Sequence, residues 1–360
     1  MTTLERHAEL DTEAVEAFGD RMVGVINDAC TALMTSIGHQ TGLFETLAGL
    51  QPSTSPQVAE AAGLNERYVR EWLNAMTTAR VLVHDPANGT YVLPGEHAAW
   101  LTDDAGPDNL ARLMVYLPML AEVEQGIVRC FREGGGLSYS DYPRFHALMA
   151  ADSSAMVDAT LLDVVVPLVD GLHDQLRTGI DVADVGCGSG HVINVLAAAY
   201  PDSRLTGYDF SPEAIAAARA EATALGLTNA RFEVQDVATL DKVAEYDLIT
   251  AFDAIHDQAH PGQVLAGISR ALRDDGTFLM VDIKASSHVE ENLEHPMAPF
   301  VYTVSTMHCM SVSLGLGGDG LGTAWGEQLA TSMLRDAGFA EVKVRAVEAD
   351  PLNSYYVCTR

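Results

Sequence analysis

The sequence predicts an α/β protein, with an open, mainly parallel sheet wound with helices behind a mainly α-helical N-terminal domain. Three observations carry this. Residues 180–209 read IDVADVGCGSGHVINVLAAAYPDSRLTGYD: an apolar run with alternating Val, a glycine loop, a helix-spaced stretch, and a second run closed by Asp209. The same alternation of short apolar runs and helical stretches continues to Ile283. The first third of the chain shows instead helical periodicity broken by one short hairpin signal.

Composition bounds the function. At 360 residues and 48% hydrophobic, the chain can fill two cores. A net charge of −29, with Lys242, Lys284 and Lys343 as its only lysines, repels nucleic acid and anionic membrane. The five cysteines are scattered and form no C-x-x-C pair, which predicts a reduced, cytoplasmic protein without a metal site. No run of about 18 apolar residues and no secretory signal is present.

In chain order, the first dozen residues are expected to fray. Phe18, Met22, Val25, Ile26, Ala29, Leu33 and Ile37, then Leu43, Phe44 and Leu47, predict two helices bent at Gly38 and Gly42. Thr54, Ser55 and Pro56 start a helix. Glu66–Ala79 is amphipathic, with Val69, Leu73 and Met76 inward. Val81–Val83 and Tyr91–Leu93 flank Asp85-Pro86-Ala87-Asn88-Gly89 as a hairpin. Residues 54–93 therefore resemble a winged helix. Arg67, Arg70 and Arg80 on its second helix face Glu66, Glu71 and the wing's Asp85, so no basic stripe forms for DNA. Packing against a second copy is the preferred reading, and DNA binding the alternative.

Leu110–Phe131 predicts one helix through Pro118, stopped by three glycines. An aromatic loop, Ser138 to His146, leads into a helix, and Asp158–Leu176 reads as a long helical segment. Tyr139, Tyr142 and Phe145 either line a site or pack between helices. Strands follow at Asp181–Val185, Arg204–Tyr208, Arg231–Gln235, Tyr246–Phe252 and Thr277–Ile283, the last after a turn at Asp274-Asp275-Gly276. Glu341–Ala346 and Ser354–Cys358 close as a hairpin. The expected divisions are 1–105 for the N-terminal domain, 106–170 for a helical linker and 171–360 for the sheet domain, with an insertion over 285–324.

Glycines let backbone approach a ligand, and a helix N-terminus presents free N–H groups to it. An acid closing the second strand suits a ribose diol. His191 occupies the last glycine position of a dinucleotide fingerprint, and no Lys-Ser/Thr pair follows the loop. VADVGCGSG followed by GYDFSPEAIAAAR resembles the first two motifs of the class I S-adenosylmethionine (SAM) methyltransferases, over about the last half of the chain. The resemblance implies a Rossmann-like, seven-stranded sheet. It implies SAM held by Asp184, Gly186, Gly188, Asp209 (ribose), Phe210 (adenine face), Asp236 and Val237 (adenine edge) and Phe252. It also implies dimerisation through the N-terminal domain, as in similar small-molecule O-methyltransferases.

Methyl transfer needs alignment, and a hydroxyl acceptor also needs a base, for which histidine is suited. Ile255-His256-Asp257 resembles the L-H-D-W segment of O-methyltransferases, which implies His256 as base; Gln258 replaces the tryptophan. Phe145, Tyr302 and His308 are the expected substrate contacts, on a floor of Met and aromatics suited to an apolar acceptor. His308, Cys309 and His256 lack metal-ligand spacing. The glycines from Gly315 to Gly322 are expected to mark a mobile lid. N- or S-methylation, and a SAM-sensing regulator, are the alternatives to O-methylation.

Overall fold

The computed structural model describes residues 10–348 and 350–360; the N-terminal stretch expected to fray lies largely outside them. The chain forms two compact units, Met1–Pro118 and Met119–Arg360.

In the first unit a helix spans Thr12–Gln40, its N-terminal N–H groups of Glu13 and Ala14 capped by the Asp11 carboxylate. The bend expected at Gly38 is absent. The chain turns only at Gly42, whose φ of 68° suits a residue without Cβ. Gly38 serves close packing instead: a Cβ there would lie 2.5 Å from Trp72 Cζ2 and 2.7 Å from Phe44 Cε2. Helices Leu43–Gly49, Ser55–Ala62 and Glu66–Thr78 and the hairpin β1 (Val83–Asp85) and β2 (Thr90–Val92) complete a winged helix. Its core is Phe44, Val58, Trp72, Leu73 and Met76, and Trp72 donates its indole N–H to the Met34 carbonyl at 2.8 Å. Val15, Phe18, Met22 and Ile26 on the long helix stay exposed.

The single helix expected over 110–131 is two, Leu110–Leu113 and Tyr116–Glu133. Pro118 falls in the first turn of the second, where a missing N–H costs no helical bond. The long segment expected over 158–176 is also interrupted. A helix Phe145–Thr160 passes through a π-helical turn and a short 3₁₀ turn at Pro167, then restarts as Leu172–Thr178 after Gly171.

The sheet has seven strands: β3 (Asp181–Val185), β4 (Arg204–Asp209), β5 (Ala230–Val234), β6 (Tyr246–Phe252), β7 (Leu272–Ile283), β8 (Glu341–Val347) and β9 (Asp350–Thr359). Their order is β5-β4-β3-β6-β7-β9-β8, with β3 to β7 parallel and β9 antiparallel to both neighbours. The turn expected at residues 274–276 is part of β7, and an irregular register against β6 between Tyr246 and Leu248 absorbs the extra residues. The order reverses between β4 and β6 on either side of β3, which opens a crevice at their carboxyl ends.

The insertion over 285–324 is helical, with Ala298–Val304, a π-helical turn at Ser305–Cys309 and Met310–Gly315. Two of its glycines are packed closely. A Cβ on Gly315 would sit 2.3 Å from the Leu137 carbonyl oxygen, and one on Gly318 2.4 Å from Ala259 Cα. Gly315 and Gly318 are packing contacts, whereas Gly317 has open space around it. Among the described residues no helix is long and apolar enough to cross a membrane.

Candidate active site

The glycine loop follows β3 because Gly186, Gly188 and Gly190 each take positive φ, which frees the backbone to turn sharply into the helix His191–Ala199. Gly186 abuts Ala254, where a Cβ would come within 2.5 Å of the alanine methyl, whereas nothing lies within 4 Å of the Cβ direction of Gly188. Asp209, at the end of β4, ties this loop down. One carboxylate oxygen accepts from the Gly188 N–H at 2.9 Å, and the other from the Ser211 N–H at 2.8 Å. Each oxygen keeps further lone pairs for a ligand.

Asp184 lies within β3, buried, and accepts from the Thr250 hydroxyl at 2.7 Å; burial pushes its carboxyl up to about 7. Phe252 ends β6 beside the loop. The Gln235 N–H donates to the Asp209 carbonyl, which seats the exposed Asp236 and the buried Val237 just beyond β5. Asp236 caps the turn at Val237–Thr239 through the Ala238 N–H. Phe210 is 45% exposed, with the Tyr139 ring 5.2 Å away. The predicted cofactor residues are thus distributed along the carboxyl ends of β3 to β6.

His256 follows β6 and is buried. Its Nδ1 lies 2.8 Å from Oδ1 of Asp282, on β7, and the Trp325 indole donates to the same oxygen at 3.1 Å. Burial pulls the imidazole pKa down, but the Asp282 charge, Cys309 and the Asp282 hydrogen bond outweigh it, leaving the ring well above its ordinary value. Asp253 starts this segment in a left-handed conformation, φ 49°. Burial and then the Asp282 charge raise its carboxyl to about 7. Asp253 Oδ1 and Asp282 Oδ2 are both buried without a hydrogen-bond partner. Asp257 accepts from the Tyr139 hydroxyl at 2.7 Å, and burial raises both of these groups.

Phe145 stacks on His308, centroids 3.5 Å apart and planes 17° apart, and Tyr142 meets the same imidazole edge-on at 4.7 Å. The Tyr142 hydroxyl donates to the Met307 carbonyl. Tyr302 does not join this stack. Its hydroxyl accepts from Asn292 at 3.0 Å, and its ring borders a hollow of about 400 Å³ with Ile127, Phe131 and Met307. Of the three expected substrate contacts, the structure brings Phe145 and His308 together and sets Tyr302 apart.

Asp282 and Trp325 were not among the expected site residues. Asp282 was readable as an anomaly, a lone carboxylate within the apolar run Phe278–Ile283, because a charge in a buried strand is rare unless paired. Trp325, 43 residues further on, carries no such signal.

Comparison with known proteins gives two family matches. Residues 29–103 match the Rv2258c-like winged HTH domain, and residues 176–338 match a methyltransferase domain. Trans-aconitate 2-methyltransferase of Methylobacterium nodulans is 31% identical over 115 residues, 32% of this chain and 40% of that protein. The chain therefore spans about two fifths of that curated relative. A crystal structure from Nostoc punctiforme PCC 73102, named as a candidate O-methyltransferase, superposes with a TM-score of 0.73 at 17% identity, covering 95% of this chain and 98% of that one. An O-methyltransferase from neocarzinostatin biosynthesis, in complex with S-adenosyl-L-homocysteine and 1,4-dihydroxy-2-naphthoic acid, superposes with a TM-score of 0.64 at 18% identity over 91% and 95% of the two chains. At these identities the likeness is one of fold.

Proposed function

We propose, from the premise that this chain belongs to the class I methyltransferases and carries a winged-helix domain in front, that it methylates a hydroxyl of a small molecule at the expense of SAM. The carrying observation is the His256–Asp282–Trp325 cluster at the carboxyl ends of β6 and β7, next to the glycine loop.

The residues present fit a cationic nucleoside. Asp253, Asp257 and Asp282 lie about His256, Asp184 and Asp209 belong to the neighbouring strands β3 and β4, and two of these carboxylates' buried oxygens lack partners. Such a pocket favours a sulfonium and an ammonium. Asp209 would hold the ribose hydroxyls, Phe210 the adenine face, Asp236 and Val237 the adenine edge, and the backbone at Gly186 and Phe252 the amino-acid end. SAM supplies an electrophilic methyl carbon on sulfur.

The chain's part is alignment and proton removal. Asp282 fixes the His256 ring through Nδ1, and Nε2, with the Cys309 side chain against the ring, is the atom that would take the acceptor proton. The Phe145–His308 stack and Tyr139 offer flat surfaces for a planar acceptor. The interspersed carboxylates disfavour an anionic acceptor and suit a neutral phenol or enol. N- or S-methylation, which needs alignment but little base catalysis, is the reading to exclude.

The N-terminal domain supports dimerisation better than DNA binding. Arg67 is paired with Glu71 and Arg70 with Glu66 on the same helix, so neither is left over for phosphate. The exposed stripe of Val15, Phe18, Met22 and Ile26 suits a second copy.

The test is calorimetric titration with SAM, followed by methyl transfer from labelled SAM to a panel of phenols, amines and thiols. Binding of SAM with His256→Ala abolishing transfer to a phenol supports the reading. Failure to bind SAM, or undiminished transfer by the variant, overturns it.

A further inference from the structure

Away from this site, three side chains of the N-terminal unit converge from three separate elements. His39 lies in the last turn of the helix Thr12–Gln40, Glu45 in the first turn of Leu43–Gly49, and Asp103 at the start of the 3₁₀ turn Asp103–Asp108. One donor atom from each lies within 4.8 Å of the other two.

The hydrogen bonding leaves this group incomplete. His39 Nδ1 and Glu45 Oε2 are both buried atoms without a hydrogen-bond partner. Glu45 uses its other oxygen to accept the Asp103 N–H at 3.3 Å, and one Asp103 oxygen accepts weakly from Asn109 at 3.5 Å. Buried polar atoms are rarely orphaned, and leaving two in one place costs free energy that a ligand would recover. Two carboxylates held together also repel unless a positive charge stands between them. An imidazolium would serve, yet His39 forms no ion pair within 4.0 Å among the described residues.

We propose that His39, Glu45 and Asp103 bind one divalent transition-metal ion, of which zinc is the representative. One imidazole and two carboxylates are a donor set this ion accepts, with nitrogen and oxygen ligands at roughly 2.0–2.2 Å and a fourth position for water. Asp103 is exposed, so that position opens to solvent. Closing donors from within 4.8 Å onto an ion requires only side-chain adjustment. The ion would pin the end of the long helix to the segment that leaves the winged helix, and so hold together both ends of this domain. The expectation of a metal-free chain rested on cysteine spacing, which does not register a site built of His, Glu and Asp.

The test uses the full-length protein stripped with chelator and titrated with zinc chloride by calorimetry, alongside His39→Gln and Glu45→Gln. The expected result is one saturable equivalent in the wild type, at least tenfold weaker binding in each variant, and a thermal shift on zinc addition that the variants lose. Circular dichroism of the stripped variants, matching the wild type, excludes loss of fold as the cause. Cobalt(II) in place of zinc should give a visible spectrum with histidine coordination that His39→Gln removes. Several weak, salt-sensitive equivalents shared by all three proteins would mean adventitious binding to an acidic surface and overturn the proposal, as would an unchanged affinity in Glu45→Gln.

Discussion

Tyr139 and Asp257 stand 118 residues apart in sequence, yet the phenol donates to the carboxylate across 2.7 Å. This bond fastens the short turn Tyr139–Asp141 over the segment that follows β6, and it places the Tyr139 ring between Phe210 and His308. Tyr139→Phe keeps the ring and removes the donor, leaving a half-buried carboxylate short of a partner. The acceptor KM should rise about tenfold, the equivalent of one lost buried hydrogen bond. SAM affinity, measured by calorimetry, should change far less, because the glycine loop and Asp209 are untouched. Equal losses in both would place Tyr139 on the nucleoside instead.

His256 gives a pH prediction of definite sign. Burial lowers its folded pKa, but the Asp282 charge and Cys309 outweigh this and hold it well above the ordinary value, so the ring becomes a proton acceptor at higher pH than a free imidazole does. Turnover should therefore climb as pH rises through the alkaline side. Asp282→Asn removes the principal charge that holds the pKa up, burial then dominates, and the rising limb should move to lower pH. The plateau should fall by about 10²–10⁴-fold, because an amide no longer fixes the tautomer of the ring as the carboxylate does. A rate that is independent of pH in both proteins would remove His256 as the base.

Much of this could be read from the chain. The strands β3, β4 and β6 appear within a residue or two of their observed limits, because buried parallel strands are short apolar runs between turn residues. Helix continuity was harder to read. Apolar spacing over residues 158–176 is helical on average, but Pro167 removes a backbone donor and Gly171 takes a left-handed φ of 73°, so one helix becomes a π turn, a 3₁₀ turn and a new start. Periodicity does not register such breaks. Residue by residue, Asp209 and His256 were evident from their place after strands, whereas the partners that complete the site come from distant segments. Asp282 lies 26 residues beyond His256, and Trp325 lies 43 beyond Asp282. Pairing over such distances is decided by the sheet order, which no local pattern encodes.

Asp184 carries a stability prediction that runs against intuition. Burial raises its carboxyl from the ordinary value to about 7 in the folded state, despite the Thr250 hydroxyl. A raised folded pKa means the native state holds a proton that the unfolded chain releases. Its favourable contribution is complete below pH 3.8 and disappears as pH rises through about 7. Asp184→Asn keeps an acceptor for Thr250 and removes the charge, so in the absence of ligand the variant should be more stable than wild type at pH 8, by an amount of order a few kcal/mol. The two should converge towards pH 4. Urea unfolding at pH 5 and pH 8 reads this directly, and equal differences at both values would contradict it.

The long N-terminal helix supplies the last prediction. Phe18 and Ile26 are 59% and 62% exposed, and with Val15 and Met22 they form a stripe at helical spacing that the described residues leave uncovered. A single exposed apolar residue is ordinary, but a contiguous row on one helix face is a mark of association. A symmetric pair is the simplest closed way to cover it, since the same face then serves both copies. The wild-type protein should therefore elute and scatter light as a dimer at micromolar concentration. Phe18→Asp with Ile26→Glu should give a monomer with an unchanged helical content, because neither side chain belongs to the core of its own unit. A wild type that remains monomeric up to hundreds of micromolar, or a double variant that still pairs, would show that this face is not the contact.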